Sequence, residues 1–185
     1  MPVWIPNVIT IGRLISVPVF AALLLGGNMT AALWVFVAAG ISDALDGFLA
    51  KRFDAASKLG AFLDPIADKA LLIAAFVTLG LLGEVPLWLV AAVILRDIVI
   101  VGGALLYHTL TQALTMEPLG VSKLNTAVQI ALAAVCLARL GVGWEFGLVE
   151  TGLIYLAAAT TLISGVAYVW IWGRRFTAVE QERGQ

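Results

Sequence analysis

The sequence predicts an all-α integral membrane protein, a bundle of six transmembrane helices with both termini on the cytoplasmic side. Three observations predict it. The 185 residues are 62% hydrophobic and 12% charged, against about 45–50% and about 25% in soluble domains, and a mean hydropathy of +1.02 would cover a water-facing surface with apolar patches. The apolar residues fall into six stretches of the length that about 30 Å of hydrocarbon demands of a helix. Lysine and arginine gather on alternate connections, as they do in loops kept on the cytoplasmic side.

The first stretch, Ile5–Leu25, ends at Gly26-Gly27-Asn28, and the second, Thr30–Leu49, gives way to the polar run Lys51–Lys58. The third and fourth, Leu59–Leu82 and Pro86–Tyr107, are parted by Gly83-Glu84-Val85. After the break His108–Gly120 comes Val121–Leu140, and after Gly141–Gly147 comes Leu148–Trp172. Glycine and polar side chains interrupt the apolar pattern at each break. Lys51, Arg52, Lys58 and Lys123, with Arg174, Arg175 and Arg183 of the tail, mark one side, whereas the other holds only Arg139 beside Glu84, Glu145 and Glu150. Residues 1–173 are therefore expected to form a single domain, and residues 174–185 a short cytoplasmic tail, charged and frayed over Thr177–Gln185.

Smaller features follow the same logic. No lysine or arginine precedes Arg13, so the apolar run Leu14–Leu25 is not expected to be a cleaved signal. The one cysteine, Cys136, reads as a small core residue, and the one histidine, His108, as an interfacial loop residue. A net charge of -1 supplies no basic field for nucleic acid.

The carboxylates are where the chemistry is expected, because acids near a span are disfavoured and usually functional. Asp43 and Asp46 lie at the end of the second stretch at a spacing of i, i+3, and Asp64 and Asp68 at the start of the third at i, i+4, so each pair shares a helix face. A short connection containing Asp54 brings the faces together. Four carboxylates near low dielectric repel one another unless cations compensate, and two divalent ions would cancel their formal charge. All-oxygen donors favour magnesium, manganese or calcium over thiophilic metals. The alternative is a set of helix-end acids solvated at the interface near Lys51, Lys58 and Lys69. Gly47, Ala50 and Gly60 are small enough either to admit a bulky ligand or to let helices pack closely.

These residues resemble a known family. Asp43, Asp46, Gly47, Ala50, Lys51, Gly60, Asp64 and Asp68 are spaced like the signature of the CDP-alcohol phosphotransferases, and the chain matches seven of its eight positions. The departure is Lys51, where the family has arginine; lysine keeps the charge but loses the bidentate fork, and the adjacent Arg52 is placed to replace it. The resemblance implies transfer of a substituted phosphate from a CDP-alcohol, here CDP-diacylglycerol, to a hydroxyl acceptor with release of CMP. It implies that Asp43, Asp46, Asp64 and Asp68 hold two divalent ions, Mg2+ or Mn2+, and that Asp68 is also the general base. Gly47, Ala50, Lys51, Arg52 and Gly60 would bind the CDP group, together with Thr10 and Arg13 of the pattern Asn7-x-x-Thr10-x-x-Arg13. It implies further a homodimer, for which the small residues Ala131, Ala133 and Ala134 permit close packing, and a site at the cytoplasmic face of a membrane, expected to be a bacterial inner membrane.

Arg96 and Asp97, in mid-span, either pair to link helices or serve the acceptor. Ser122, Asn125 and Gln129 share one face beside Lys123, which suits a polyol or a neighbouring helix equally. The Arg96-Asp97 pair and the stretch Ser122–Gln129 resemble the CMP-forming cardiolipin synthases, whose acceptor is the lipid phosphatidylglycerol. Phosphatidylglycerophosphate synthases, which take a polyol phosphate, typically carry Arg-Glu with a further arginine two turns on, and none is present. A small transporter or channel is the reading from another class, and it wants charges spread through the membrane depth.

Overall fold

The computed structural model describes the backbone of residues 4–53, 58–111 and 119–183, and side chains within 10–43, 67–105, 109 and 119–174. The described residues form six helices and no strand: α1 (Trp4–Leu25), α2 (Met29–Phe53), α3 (Lys58–Leu81), α4 (Leu87–Thr111), α5 (Gly120–Val142) and α6 (Leu148–Arg183). Three helical segments, Leu87–Leu105, Gly120–Val142 and Leu148–Arg174, are long and apolar enough to cross a membrane, and Thr10–Leu25 and Met29–Asp43 are shorter apolar segments.

The helices match the six apolar stretches closely, with two corrections. His108 lies within α4, not in a loop, because no glycine or proline interrupts the chain between Ala104 and Thr111. The expected fraying over Thr177–Gln185 does not begin before Gly184: α6 continues to Arg183. Extending an existing helix costs no new nucleation, and Ala178-Val-Glu-Gln-Glu-Arg183 holds no breaker before Gly184.

Packing explains the arrangement. α1 lies against α3 and α2, α2 against α5, and α5 against α6, while α4 is held mainly by α6. One apolar core runs through the bundle, with Phe20 and Phe36 tilted against each other at 5.9 Å between ring centres and Phe76, Leu79, Leu89 and Leu132 fully buried. Cys136 belongs to this core, as expected, and so does Ala133, which removes it from any outer dimer face; Ala131 remains exposed. Leu95, Leu105, Leu162, Val166 and Trp170 point outward from α4 and α6, the surface expected where lipid is the solvent.

Two close approaches need glycine. At Gly141 a side chain would lie 3.1 Å from the Met29 carbonyl oxygen and 3.2 Å from Thr30 Cα, where the Thr30 hydroxyl donates to the Gly141 carbonyl at 2.7 Å. At Gly103 a Cβ would lie 2.7 Å from Trp172 Nε1, so the indole packs over bare backbone where α4 meets α6. Away from the polar pocket described below, Arg139 of α5 donates from Nε to Glu150 of α6 at 2.8 Å and from Nη2 to Glu84, which precedes α4. Replacing Gly141 by valine is expected to destabilise the fold by about 1–3 kcal/mol through overpacking against backbone that cannot yield, seen as a lower unfolding temperature in detergent; an unchanged temperature would contradict the α2–α5 contact.

Candidate active site

The functional side chains meet where α1, α2 and α3 converge, and a guanidinium sits at the junction. Arg13 of α1 is buried, and its Nη1 lies 3.0 Å from Asp43 Oδ1 on α2 and 2.6 Å from Asp68 Oδ1 on α3. Arginine suits this place because its planar fork keeps its charge at any pH the protein meets. One turn earlier on α1, Thr10 is fully buried. Both carboxylates remain half open toward a cavity of about 350 Å³.

That cavity also takes in the charges of α4. Its walls include Lys69, Arg96, Asp97, Thr126 and Gln129 beside Arg13, Asp43 and Asp68. Asp97 Oδ1 accepts from Lys69 Nζ at 3.2 Å and from Arg96 Nη1 at 2.8 Å. The remaining donors of Arg96 are spent on neighbouring helices: Nε and Nη2 reach Ser164 Oγ of α6 at 3.1 and 2.7 Å, and Nη2 also donates to Ser122 Oγ of α5. Sequence reasoning left Arg96 either linking helices or lining an acceptor site; the geometry shows it linking α4 to α5 and α6 from the wall of this cavity.

The polar face of α5 divides between two surroundings. Gln129 lines the cavity, whereas Asn125 does not: it is fully buried and its Oδ1 accepts from Thr160 and Thr161 of α6 at 2.8 and 2.9 Å. Asn125 thus engages a neighbouring helix, the second of the two roles open to it. Lys123 is exposed and lies off the cavity wall. Asp46 follows Asp43 by one turn on α2 and Asp64 precedes Asp68 by one turn on α3, with Gly47, Ala50, Lys51 and Arg52 on α2 and Gly60 on α3. The side chains at these seven positions lie outside the described residues. Among the described residues no three acidic, histidine or cysteine side chains gather as a metal site. Lys69 and Ser164 were not picked out as site residues from sequence. Lys69 reads there as one more interfacial cation, and Ser164, inside an apolar run, carries no signal at all.

The sequence matches the CDP-alcohol phosphatidyltransferase family over residues 3–168. The chain belongs to this family. The phosphatidyltransferase signature residues whose side chains are described, Asp43 and Asp68, are the pair that shares Arg13. Relatives of the chain include the human cardiolipin synthase (CMP-forming), 32% identical over an alignment that covers 96% of this chain and 64% of that protein. A cardiolipin synthase (CMP-forming) and mitochondrial hydrolase fusion protein of Schizosaccharomyces pombe is 31% identical over 89% of this chain and 30% of its own length. A probable phosphatidylglycerophosphate synthase of Mycobacterium tuberculosis is 34% identical over 88% of this chain and 78% of its own. The chain spans under two thirds of the length of the cardiolipin synthases it matches. Membership in a family of phosphatidyltransferases takes the place of the transporter reading.

Removing the Arg96 side chain as Arg96→Met strands Asp97 with Lys69 and leaves buried Ser164 and half-buried Ser122 without their donor. Breaking one side of a buried pair costs about 3–5 kcal/mol, so Arg96→Met is expected to lower the unfolding temperature sharply. Arg96→Met/Asp97→Leu should recover part of that loss, and a double variant no better than the single one would refute the pairing.

Proposed function

We propose that the protein is a metal-dependent phosphatidyltransferase of phospholipid biosynthesis. It transfers a phosphatidyl group from CDP-diacylglycerol to the hydroxyl of phosphatidylglycerol, giving cardiolipin and CMP. The observation that carries this is the single cavity on whose wall Asp43 and Asp68, two residues of the family signature, stand with Lys69, Arg96 and Asp97. The donor reaction needs anionic ligands for cations, and an anionic acceptor needs cations of the protein.

The residues present fit divalent cations. Asp43 and Asp68 come from different helices, offer hard oxygen donors, and are close enough to share one cationic atom. Asp43, Asp46, Asp64 and Asp68 would hold two ions, Mg2+ or Mn2+. Such ions, when bound, stabilise the charge that develops on the departing CMP. In the reaction the acceptor oxygen bonds to the phosphorus bearing diacylglycerol, the bond from that phosphorus to the CMP oxygen breaks, and the acceptor proton passes to Asp68. Arg13, between the two carboxylates, orients Asp68. Lys69 and Arg96 supply positive charge for the acceptor phosphate. Thr10, Arg13, Gly47, Ala50, Lys51, Arg52 and Gly60 would form the CDP site, with Lys51 or Arg52 taking the role of the family arginine, and Ser122 and Lys123 the approach to the acceptor site.

The proposal places six spans in the membrane, both termini and the site on its cytoplasmic side, on the strength of the lysine and arginine distribution, and takes the protein as a homodimer of a bacterial inner membrane. A second reading, glycerol 3-phosphate as acceptor, is supported by the likeness to the mycobacterial phosphatidylglycerophosphate synthase, which extends over 78% of that protein; the cations of the cavity suit either phosphate.

Purified protein in mixed micelles with CDP-diacylglycerol and Mg2+ or Mn2+ is expected to release CMP when phosphatidylglycerol is added, with cardiolipin identified by mass spectrometry. Turnover of glycerol 3-phosphate alone would establish the second reading instead. Chelation should abolish CMP release. Asp68→Asn should lower kcat by about 10²–10⁴, and full activity in that variant would remove Asp68 as the base.

A further inference from the structure

A second cavity, of about 700 Å³, opens between α4 and α6 and borders the first at one residue. Arg96 belongs to the walls of both. Otherwise this groove is almost wholly apolar, formed by residues such as Leu95, Leu162, Val166 and Val169. Its α6 wall runs from Thr161 to Arg174, about 20 Å at the rise of a helix, enough to follow one leaflet of a hydrocarbon core about 30 Å thick. Nothing but hydrogen stands at Gly165 where the Arg96 stem passes; an added Cβ would lie 3.7 Å from Arg96 Cγ. At the far end of the α6 wall the Arg174 guanidinium lies 5.9 Å from the centre of the Trp170 ring, an aromatic–cation pair of the kind found at the membrane–water boundary.

We propose that the α4–α6 groove holds an acyl chain of an anionic phospholipid acceptor whose head group reaches past Arg96, the residue common to both cavities, toward Asp68. The charges decide the occupant. A water-soluble acceptor has no use for a long apolar channel, and a second protein copy would not require an arginine of the catalytic cavity in its interface. A lipid acceptor uses both the apolar length of the groove and its one connection, at Arg96, to the cavity of Asp68. This deepens the acceptor reading above and rests on it, because the groove distinguishes a lipid acceptor from a polyol phosphate.

The test uses phosphatidylglycerol bearing a diazirine in one acyl chain, with the full-length protein in phosphatidylcholine nanodiscs, and compares wild type with Leu162→Trp and Val166→Trp. Both residues face outward, so the indole fills the groove without entering the core. Photo-adducts are expected on the α4 and α6 residues of the groove and should be lost in both variants. The KM for long-chain phosphatidylglycerol should rise about tenfold, the worth of two buried methylenes, while the KM for CDP-diacylglycerol and for dihexanoyl phosphatidylglycerol stays the same. Adducts elsewhere, or a KM that rises regardless of tail length, would overturn the proposal. So would a tryptophan variant that splits a dimer, since the groove would then be the interface between copies. Adducts in the groove of a wild-type protein that makes no cardiolipin would leave the lipid site standing and overturn the acceptor reading alone.

Discussion

A guanidinium inside an apolar bundle has five donors and no water to receive them, and Arg96 satisfies this constraint by joining every helix around it. Its contacts reach Asp97 on its own helix, Ser122 on α5 and Ser164 on α6, and through Asp97 the link extends to Lys69 on α3. Ser122, one turn into α5, and Ser164, midway along α6, are therefore brought to one depth. The α4 side of the cavity exists because this charge had to be answered by several helices at once.

Arg13 does the equivalent for the other half. It gathers α2 and α3 onto α1 through Asp43 and Asp68, so the bundle is two groups of helices, each closed around one arginine, with the cavity between them. Apart from both, Arg139 with Glu84 and Glu150 repeats the device, tying α5 to α6 and to the turn before α4. Other helix contacts rely instead on close packing, with glycine where the end of α5 meets the start of α2 and where α4 meets α6. Polar ties need polar partners at fixed depth, whereas small residues allow backbones to approach anywhere along a span.

Much of this could be read from sequence because lipid imposes simple rules. Span length follows bilayer thickness, breaks follow glycine and polar runs, and acids at i, i+3 and i, i+4 share faces, so the six helices and the approach of Asp43 on α2 to Asp68 on α3 were legible, though not that both would meet on Arg13 of α1. The join between the acidic pair and Arg96-Asp97 was not, since 28 residues separate Asp68 from Arg96 and no periodicity records which helices become neighbours. Ser164 was invisible because a lone hydroxyl in an apolar run differs little from packing. Asn125 was ambiguous for the opposite reason: an amide on a helix face serves a ligand and a neighbour through the same donors and acceptors. The helical run from Thr177 to Arg183 was not legible because a short charged terminal stretch suits a frayed tail as well as a helix.

The buried amide of Asn125 has an effect beyond its own hydrogen bonds. By accepting from Thr160 and Thr161 it fixes the angular phase of α6 about its axis, and Ser164 follows Thr160 by one turn on nearly the same bearing. Each residue of slip would rotate α6 by about 100° and carry Ser164 away from Arg96, loosening the guanidinium that borders both cavities. The orientation of the cavity wall is thus set like a keyed shaft, by Asn125 and Thr160, which line neither chamber, together with Thr161 at the edge of the groove.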